Sequence, residues 1–314
     1  MKDGIYEMQS AATCIDNTTG NVVAIVGSRT QELEGYTLNR AYQSYRQPGS
    51  SIKPIIDYVP YLQKGNTPDT IVADEYIQNG PKNADGTYMG NITLRTAVSL
   101  SRNTVAWNIL KELTPKVGSS YLLNQGFHKI WMDKDYNAIS IGGFTYGVST
   151  EEMAGAYATI ANDGKYRRVT CIVAVYDNRG KTVIDTSNRE ENIYDSESCR
   201  MMTDMLKTVV SEGTGRGAAP DDAIVAGKTG TTNSNYDSWF CGYSAYYTLA
   251  VWQGYDYPAS IPQNATIKIF RQFMDQAHKG LAKKDFAKYN QKGNQEETQT
   301  ETESETETET QSAS

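Results

Sequence analysis

Histidine is almost missing from this chain: His128 and His278 are the only two among 314 residues. That scarcity disfavours a serine–histidine–aspartate triad, and neither histidine falls in a motif. Cysteine is also sparse. Cys14, Cys171, Cys199 and Cys241 show no C-x-x-C spacing, so a Cys/His zinc centre is not expected. They read as small buried hydrophobes rather than a disulfide framework. No apolar run reaches the roughly eighteen residues a membrane-spanning helix requires. The first residues, "MKDGIYEMQSAAT", lack the apolar centre of a secretory signal. An excess of basic charge is missing too. The net charge of −7 equals the seven glutamates that follow Gln295, so residues 1 to 294 are neutral overall. A neutral body argues against a nucleic-acid surface, which needs clustered Lys and Arg.

What remains is a soluble globular composition, 39% hydrophobic and 21% charged, on a chain long enough for a sizeable core. "AATCIDNTTGNVVAIVGS" and "TCIVAVYDNRGKTVID" read as β-hairpins, each with turn formers between β-branched runs. Residues 50 to 63 are helical in pattern after the Pro48–Gly49 turn, and residues 65 to 91 read as loop. "ITLRTAVSLSRNTVAWNILKEL" predicts two helical pieces. Ser149 with Glu152 predicts a capping box for the helix that follows. "DSESCRMMTDMLKTVVSEG" predicts an amphipathic helix, and three strands and a last helix near 266–278 complete the pattern. Strands at both ends of the chain, with helices between and after them, predict an α+β fold: an antiparallel sheet covered by helices. The end of the chain, alternating Glu and Thr with almost no apolar residue, cannot bury enough surface to order itself, so residues 281–314 are expected to be disordered.

Three short motifs carry chemistry. Ser50 and Lys53, in "QPGSSIKP", occupy the first turn of a helix, where side chains three apart share a face and free N–H groups add positive potential. About one Ser-x-x-Lys match is expected by chance in a chain this long, and in isolation a helix-capping serine is the commoner reading. Ser101-Arg102-Asn103 places a hydroxyl and an amide two residues apart between helical stretches; caps look the same. "AGKTGTT" closes a strand with Lys228, Thr229, Gly230 and Thr231. There a cation and hydroxyls can grip a carboxylate, and the strand edge can pair with a peptide. It is no Walker loop, because the glycine required upstream of Lys228 is absent. "GTGRGAA" follows a helix rather than a strand, so it reads as a flexible turn and not a dinucleotide fingerprint.

The order and setting of the three motifs, 48 residues from Lys53 to Ser101 and 125 from Asn103 to Lys228, match the trio of serine β-lactamases and penicillin-binding proteins. With "NRAYQSYRQPGSSIKP", "TLRTAVSLSRNT", "GGFTYGVSTEEMAGAYATIANDG", "AGKTGTTNSNYDSWFCGY" and "AVWQGYD", the chain closely resembles the transpeptidase domain of class A, bifunctional penicillin-binding proteins. The resemblance runs from about residue 11 to about residue 278. It implies a five-stranded antiparallel sheet between helices, with an all-helical subdomain. It implies acyl transfer on the D-Ala-D-Ala end of peptidoglycan stem peptides, with acylation by β-lactams and no cofactor or metal. In that scheme Ser50 is the nucleophile and Lys53 its base, with Lys228 the cation that lowers the basicity of Lys53. Ser101 and Asn103 relay the proton and hold the peptide amide. Thr229, Gly230 and Thr231 line the carboxylate site, and the N–H groups of Ser50 and Thr231 form the oxyanion hole. A D,D-carboxypeptidase or β-lactamase-type hydrolase, or a penicillin-sensing module, is the alternative. The resemblance further implies a parent protein with a glycosyltransferase domain and a membrane anchor at the extracytoplasmic face of a bacterial membrane. Residues 1–280 are then an N-terminally truncated transpeptidase domain.

Overall fold

The computed structural model describes residues 6–29, 37–185, 190–262 and 264–290, with only the backbone of 184 and 185. Strands are β1 (Met8–Asp16), β2 (Val22–Val26), β3 (Ile71–Asp74), β4 (Gly90–Thr93), β5 (Lys165–Tyr166), β6 (Ala174–Tyr176) and β7 (Thr182–Asp185). They continue with β8 (Glu191–Asn192), β9 (Ala226–Thr231), β10 (Asp237–Tyr243) and β11 (Tyr247–Tyr255). Helices are α1 (Arg40–Gln43), α2 (Val59–Leu62), α3 (Leu94–Ser99) and α4 (Asn103–Leu113). After them come α5 (Pro115–Asn124), α6 (Thr150–Ala161), α7 (Ser196–Ser211) and α8 (Thr266–Ala277). None of the described helices is long and apolar enough to cross a membrane.

The central sheet has five strands in the order β2-β1-β11-β10-β9, all antiparallel. Two-residue periodicity splits its side chains between two cores. Trp239, Cys241, Tyr243, Ala250 and Trp252 join the cluster that contains Met153, Ala154 and Tyr157 of α6. Phe240, Leu249 and Val251 face the other way, onto Phe270 and Met274 of α8. The sheet is therefore sandwiched by helices, as the resemblance implies. Helices α2 to α5 gather beside it as the helical subdomain around Ile55, Ile56, Leu94, Ile109, Leu110 and Leu122. The predicted capping box of α6 is present: the Ser149 hydroxyl accepts from Glu152 N at 3.2 Å while Glu152 Oε2 accepts from Ser149 N at 2.8 Å. His278 is buried, its ring between Met274 O and Ser244 Oγ, each at 2.8 Å.

Two expectations need correction. Within the stretch read as loop, β3 and β4 pair as an antiparallel ribbon; four-residue strands this far apart carry too short a pattern to register. The tail does not begin at 281. Residues 281–290 lie along the body, with Phe286 and Tyr289 against the core and Asp285 paired to Lys207 at 2.9 Å. The Phe286 ring meets Tyr243 edge-on at 5.5 Å. Those two aromatics supply apolar area that the Glu/Thr run lacks. Residues 291–314 lie outside the described residues.

Candidate active site

A left-handed residue and a helix start bring the first motif to the sheet edge. Gly49 has φ of +54° and opens a tight turn, Gly49–Ile52. The chain continues through a π turn, Pro54–Tyr58, into α2. The preceding segment is clamped from two sides: Gln47 exchanges two hydrogen bonds with the Phe144 backbone, and Trp239 Nε1 donates to Gln47 O at 2.8 Å. Strand β9 lies directly against this turn. A Cβ on Gly49 would sit 2.5 Å from Thr231 O, and one on Gly230 would sit 2.2 Å from Pro48 O. These two glycines let the first and third motifs touch through their backbones. Gly49→Ala adds both the clash and the positive-φ cost, so β9 must withdraw from Ser50. Acylation by a labelled penicillin is expected to fall about a hundred-fold, because displacements near 1 Å at a reacting centre have that effect. Wild-type labelling rates in the variant would contradict this reading of the turn.

The adjacent serines differ. Ser51 is fully buried, its hydroxyl donating to Pro48 O at 2.7 Å and its carbonyl accepting from Tyr157 OH at 2.7 Å. Ser50 is half-buried, and among the described residues its hydroxyl has no hydrogen-bond partner. Lys53 is fully buried, and its Nζ donates to Asn103 Oδ1 at 2.7 Å and Ser101 O at 2.8 Å, with Arg102 O at 3.4 Å. The structure thus turns the ammonium toward the second motif rather than bonding it to the Ser50 hydroxyl.

Ser101 joins the two lysines. It sits between α3 and α4 with φ of +60°, a conformation that costs a non-glycine residue about 1 kcal/mol or more. That twist sends its carbonyl to Lys53 and its hydroxyl to Lys228, whose Nζ donates to Ser101 Oγ at 2.8 Å. Lys228 is also fully buried. It shares the inward face of β9 with Gly230, two residues on. Burial pushes the Lys53 amine down to about 7; the Asp57 carboxylate opposes the shift and the Arg102 guanidinium adds to it. Lys228 is driven well below the ordinary lysine range by burial and then by the positive charge of Lys53. The Lys53 and Lys228 charges disfavour one another, and the Arg102 guanidinium adds to the depression of Lys53.

On the other face of β9, the Thr229 hydroxyl is 2.7 Å from that of Thr214, while Thr231 is exposed. Thr232 N donates to Asp237 O across the ladder. By the alternation of an antiparallel pair, the Thr231 N–H points away from β10, toward the outer edge of the sheet.

Sequence reasoning missed the residues that hold the second motif. Arg102, 3% exposed, donates to Asp74 Oδ2 at 2.7 Å, Asp85 Oδ2 at 2.8 Å and Thr87 O. Asn83 Oδ1 accepts from Asn103 N at 2.7 Å, capping α4 from a distant loop, and Asn103 Nδ2 donates to Lys82 O at 2.8 Å. Burial raises Asp74, but hydrogen bonds from Thr104, Asn83, Met89 and Arg102 outweigh it and hold the carboxyl below its usual range. Thr214, in the turn read as flexible, is anchored by its N–H to Ser99 O at 3.1 Å. Partners that lie 28 and 17 residues from Arg102 leave no local signal.

The arrangement supplies a hydroxyl at a helix start with no hydrogen-bond partner among the described residues, two buried amines of lowered basicity, and an exposed threonine on the edge strand β9. Comparison with known proteins gives the family. The penicillin binding protein transpeptidase domain profile matches residues 10–275. Penicillin-binding protein 4 of Bacillus subtilis is 36% identical over 260 residues, which are 81% of this chain and 41% of that protein. Penicillin-binding protein 1A of Clostridium acetobutylicum is 37% identical over 303 residues, 90% of this chain and 37% of that one. The chain therefore spans about two-fifths of the length of these relatives. Among solved structures, PonA1 of Mycobacterium tuberculosis superposes with a TM-score of 0.77 at 24% identity, covering 92% of this chain and 82% of that one. Penicillin-binding protein 1A of Haemophilus influenzae gives 0.75 at 23%, covering 90% and 49%. The chain belongs to the penicillin-binding protein transpeptidase domain family, an enzyme family of cell-wall synthesis, and its relatives are consistent with the class A branch.

Proposed function

We propose that this domain is a serine D,D-transpeptidase that cross-links peptidoglycan stem peptides and is acylated by β-lactams. The observation that carries the reading is the pair of fully buried lysines bridged by Ser101, beside a Ser50 hydroxyl that has no hydrogen-bond partner among the described residues. Neutral Lys53 takes the Ser50 proton as the oxygen attacks the penultimate D-Ala carbonyl, and Ser101 passes a proton on to the leaving amine. The N–H groups of Ser50 and Thr231 hold the oxyanion. Thr229 and Thr231 take the terminal carboxylate, and Asn103 the peptide amide. Loss of terminal D-alanine leaves an acyl-enzyme, which the amine of a second stem peptide resolves. The parent protein acts at the extracytoplasmic face of a bacterial membrane, joined to a glycosyltransferase domain.

A class A β-lactamase on the same scaffold needs a glutamate positioned to activate the deacylating water. Among the described residues the buried glutamate is Glu152, and it is committed to the cap of α6. The acyl-enzyme is therefore expected to be long-lived. With a labelled penicillin, the adduct should persist for many minutes, and an added amine should transfer the acyl group from a D-Ala-D-Ala donor. Hydrolysis of the adduct within seconds, with no transfer, would overturn the transpeptidase reading.

A further inference from the structure

Thr214 is an exposed residue that none of the proposed steps uses, yet it touches one that they do. Its Oγ1 lies 2.7 Å from Thr229 Oγ1 of β9, 15 residues further along the chain. The turn that carries it is anchored on three sides. It follows α7, whose last carbonyls are taken up by Gly213 N, on Thr208 O and Val209 O at 3.1 Å each, and by Gly215 N, on Val209 O at 3.0 Å. At the end of α3, Ser99 O accepts from Thr214 N at 3.1 Å, and a Cβ on Gly213 would sit 2.4 Å from that same oxygen. Ala218, fully buried, fixes the far side of the turn in the core around Phe240 and Phe270.

Thr229 is equally fixed. Its backbone stands in the ladder opposite Phe240 of β10, and its carbonyl accepts from Lys228 Nζ at 3.2 Å. Two-residue periodicity places its side chain on the face of β9 that also carries Thr231, away from Lys228 and Gly230. The two hydroxyls therefore meet because two rigid elements present them to each other.

A hydroxyl has one proton to give. If Thr229 gives it to Thr214, an incoming carboxylate meets a lone pair. If Thr214 gives its own to Thr229, the Thr229 oxygen is satisfied and its proton stays free for the carboxylate. The second arrangement is a chain in which each hydrogen bond polarises the next, and the ionised acceptor makes the last one strong. We propose that Thr214 is a positioning residue for carboxylate recognition: it donates to Thr229 and so aims the Thr229 proton at the carboxylate of a stem peptide or a β-lactam.

This role rests on Thr229 taking the carboxylate, and the test separates the two. Acylation of the whole chain is followed with benzylpenicillin and with its methyl ester, which lacks the anion. Thr214→Val removes a bond present before and during acylation, so the apparent dissociation constant for benzylpenicillin is expected to rise about five- to ten-fold while the limiting acylation rate stays within about two-fold. The ester is expected to respond by less than about two-fold, and Thr214→Ser, which keeps the hydroxyl, to restore the wild-type constants. In a Thr229→Val background there is no proton to aim, so adding Thr214→Val is expected to cost less than about two-fold more. No change with benzylpenicillin, equal losses for acid and ester, losses that add in the double variant, or no rescue by serine overturns the role. Wild type that acylates equally well with acid and ester overturns the carboxylate site at Thr229 instead. Should Thr214→Val fail to fold, as thermal midpoints would show, Thr214→Ala removes the same hydroxyl and is read in the same way.

Discussion

Ser50→Ala is expected to lower acylation by β-lactams at least about a thousand-fold, to background labelling, while Ser51→Ala keeps the rate within about ten-fold of wild type. The two hydroxyls are one residue apart, and the structure separates them by what surrounds each. The Ser51 hydroxyl is fully buried, donates to Pro48 O, and lies under Gly230. Bringing it to a substrate would require β9 to leave the sheet edge. Its loss removes one internal hydrogen bond, with a stability cost of about 1 kcal/mol. The Ser50 hydroxyl makes no such bond among the described residues and stands at the helix start, where first-turn N–H groups lack intrahelical acceptors. Labelling rates for both variants, with thermal midpoints to confirm folding, check this. Comparable losses in the two would contradict the distinction.

Lys53→Met is the second large effect, and it acts in opposite directions on rate and stability. Without a base the acylation rate is expected to fall by about 10²- to 10⁴-fold. The folded protein, however, is relieved of a buried amine. Lys53 holds its proton up to about 7 when folded, and up to the ordinary lysine value of 10.5 when unfolded. Between these values the unfolded chain binds more protons, so the Lys53 contribution to stability rises with pH across that window. Below it, wild type carries the full penalty, on the order of a few kcal/mol. Lys53→Met should therefore be more stable than wild type at pH 6, with the difference shrinking toward pH 9. Thermal midpoints at the two pH values measure it. A variant that is less stable than wild type at pH 6 would mean that the ammonium is well compensated by its acceptors on Ser101 and Asn103.

How much of this was legible in the sequence depends on the range of each signal. The apolar runs of β1, β10 and β11 and the cap at Ser149 are local, and the strands and the cap appear in the structure where the pattern puts them. The ribbon of β3 and β4 was not legible, because each strand is four residues long and the segment between them is turn-forming. Helix α5 was not read either; Gly118, Ser119 and Ser120 dilute its periodicity. The three motifs could be found because order and spacing along the chain are themselves sequence facts, and the structure brings Lys53, Ser101, Asn103 and Lys228 together. Their support could not be found that way. The Arg102–Asp74–Asp85 cluster, the Asn83 cap and the Thr214–Thr229 contact join residues from separate segments.

The most direct test of the account is to locate the bond. After incubation with a β-lactam, the intact mass of the protein should rise by one inhibitor. Trypsin should then yield the peptide from Gln47 to Lys64, since the Lys53–Pro54 bond resists cleavage. Fragmentation of that peptide is predicted to place the adduct on Ser50. An adduct on Ser51 or Lys53, one on a peptide elsewhere in the chain, or no adduct at all would contradict the account.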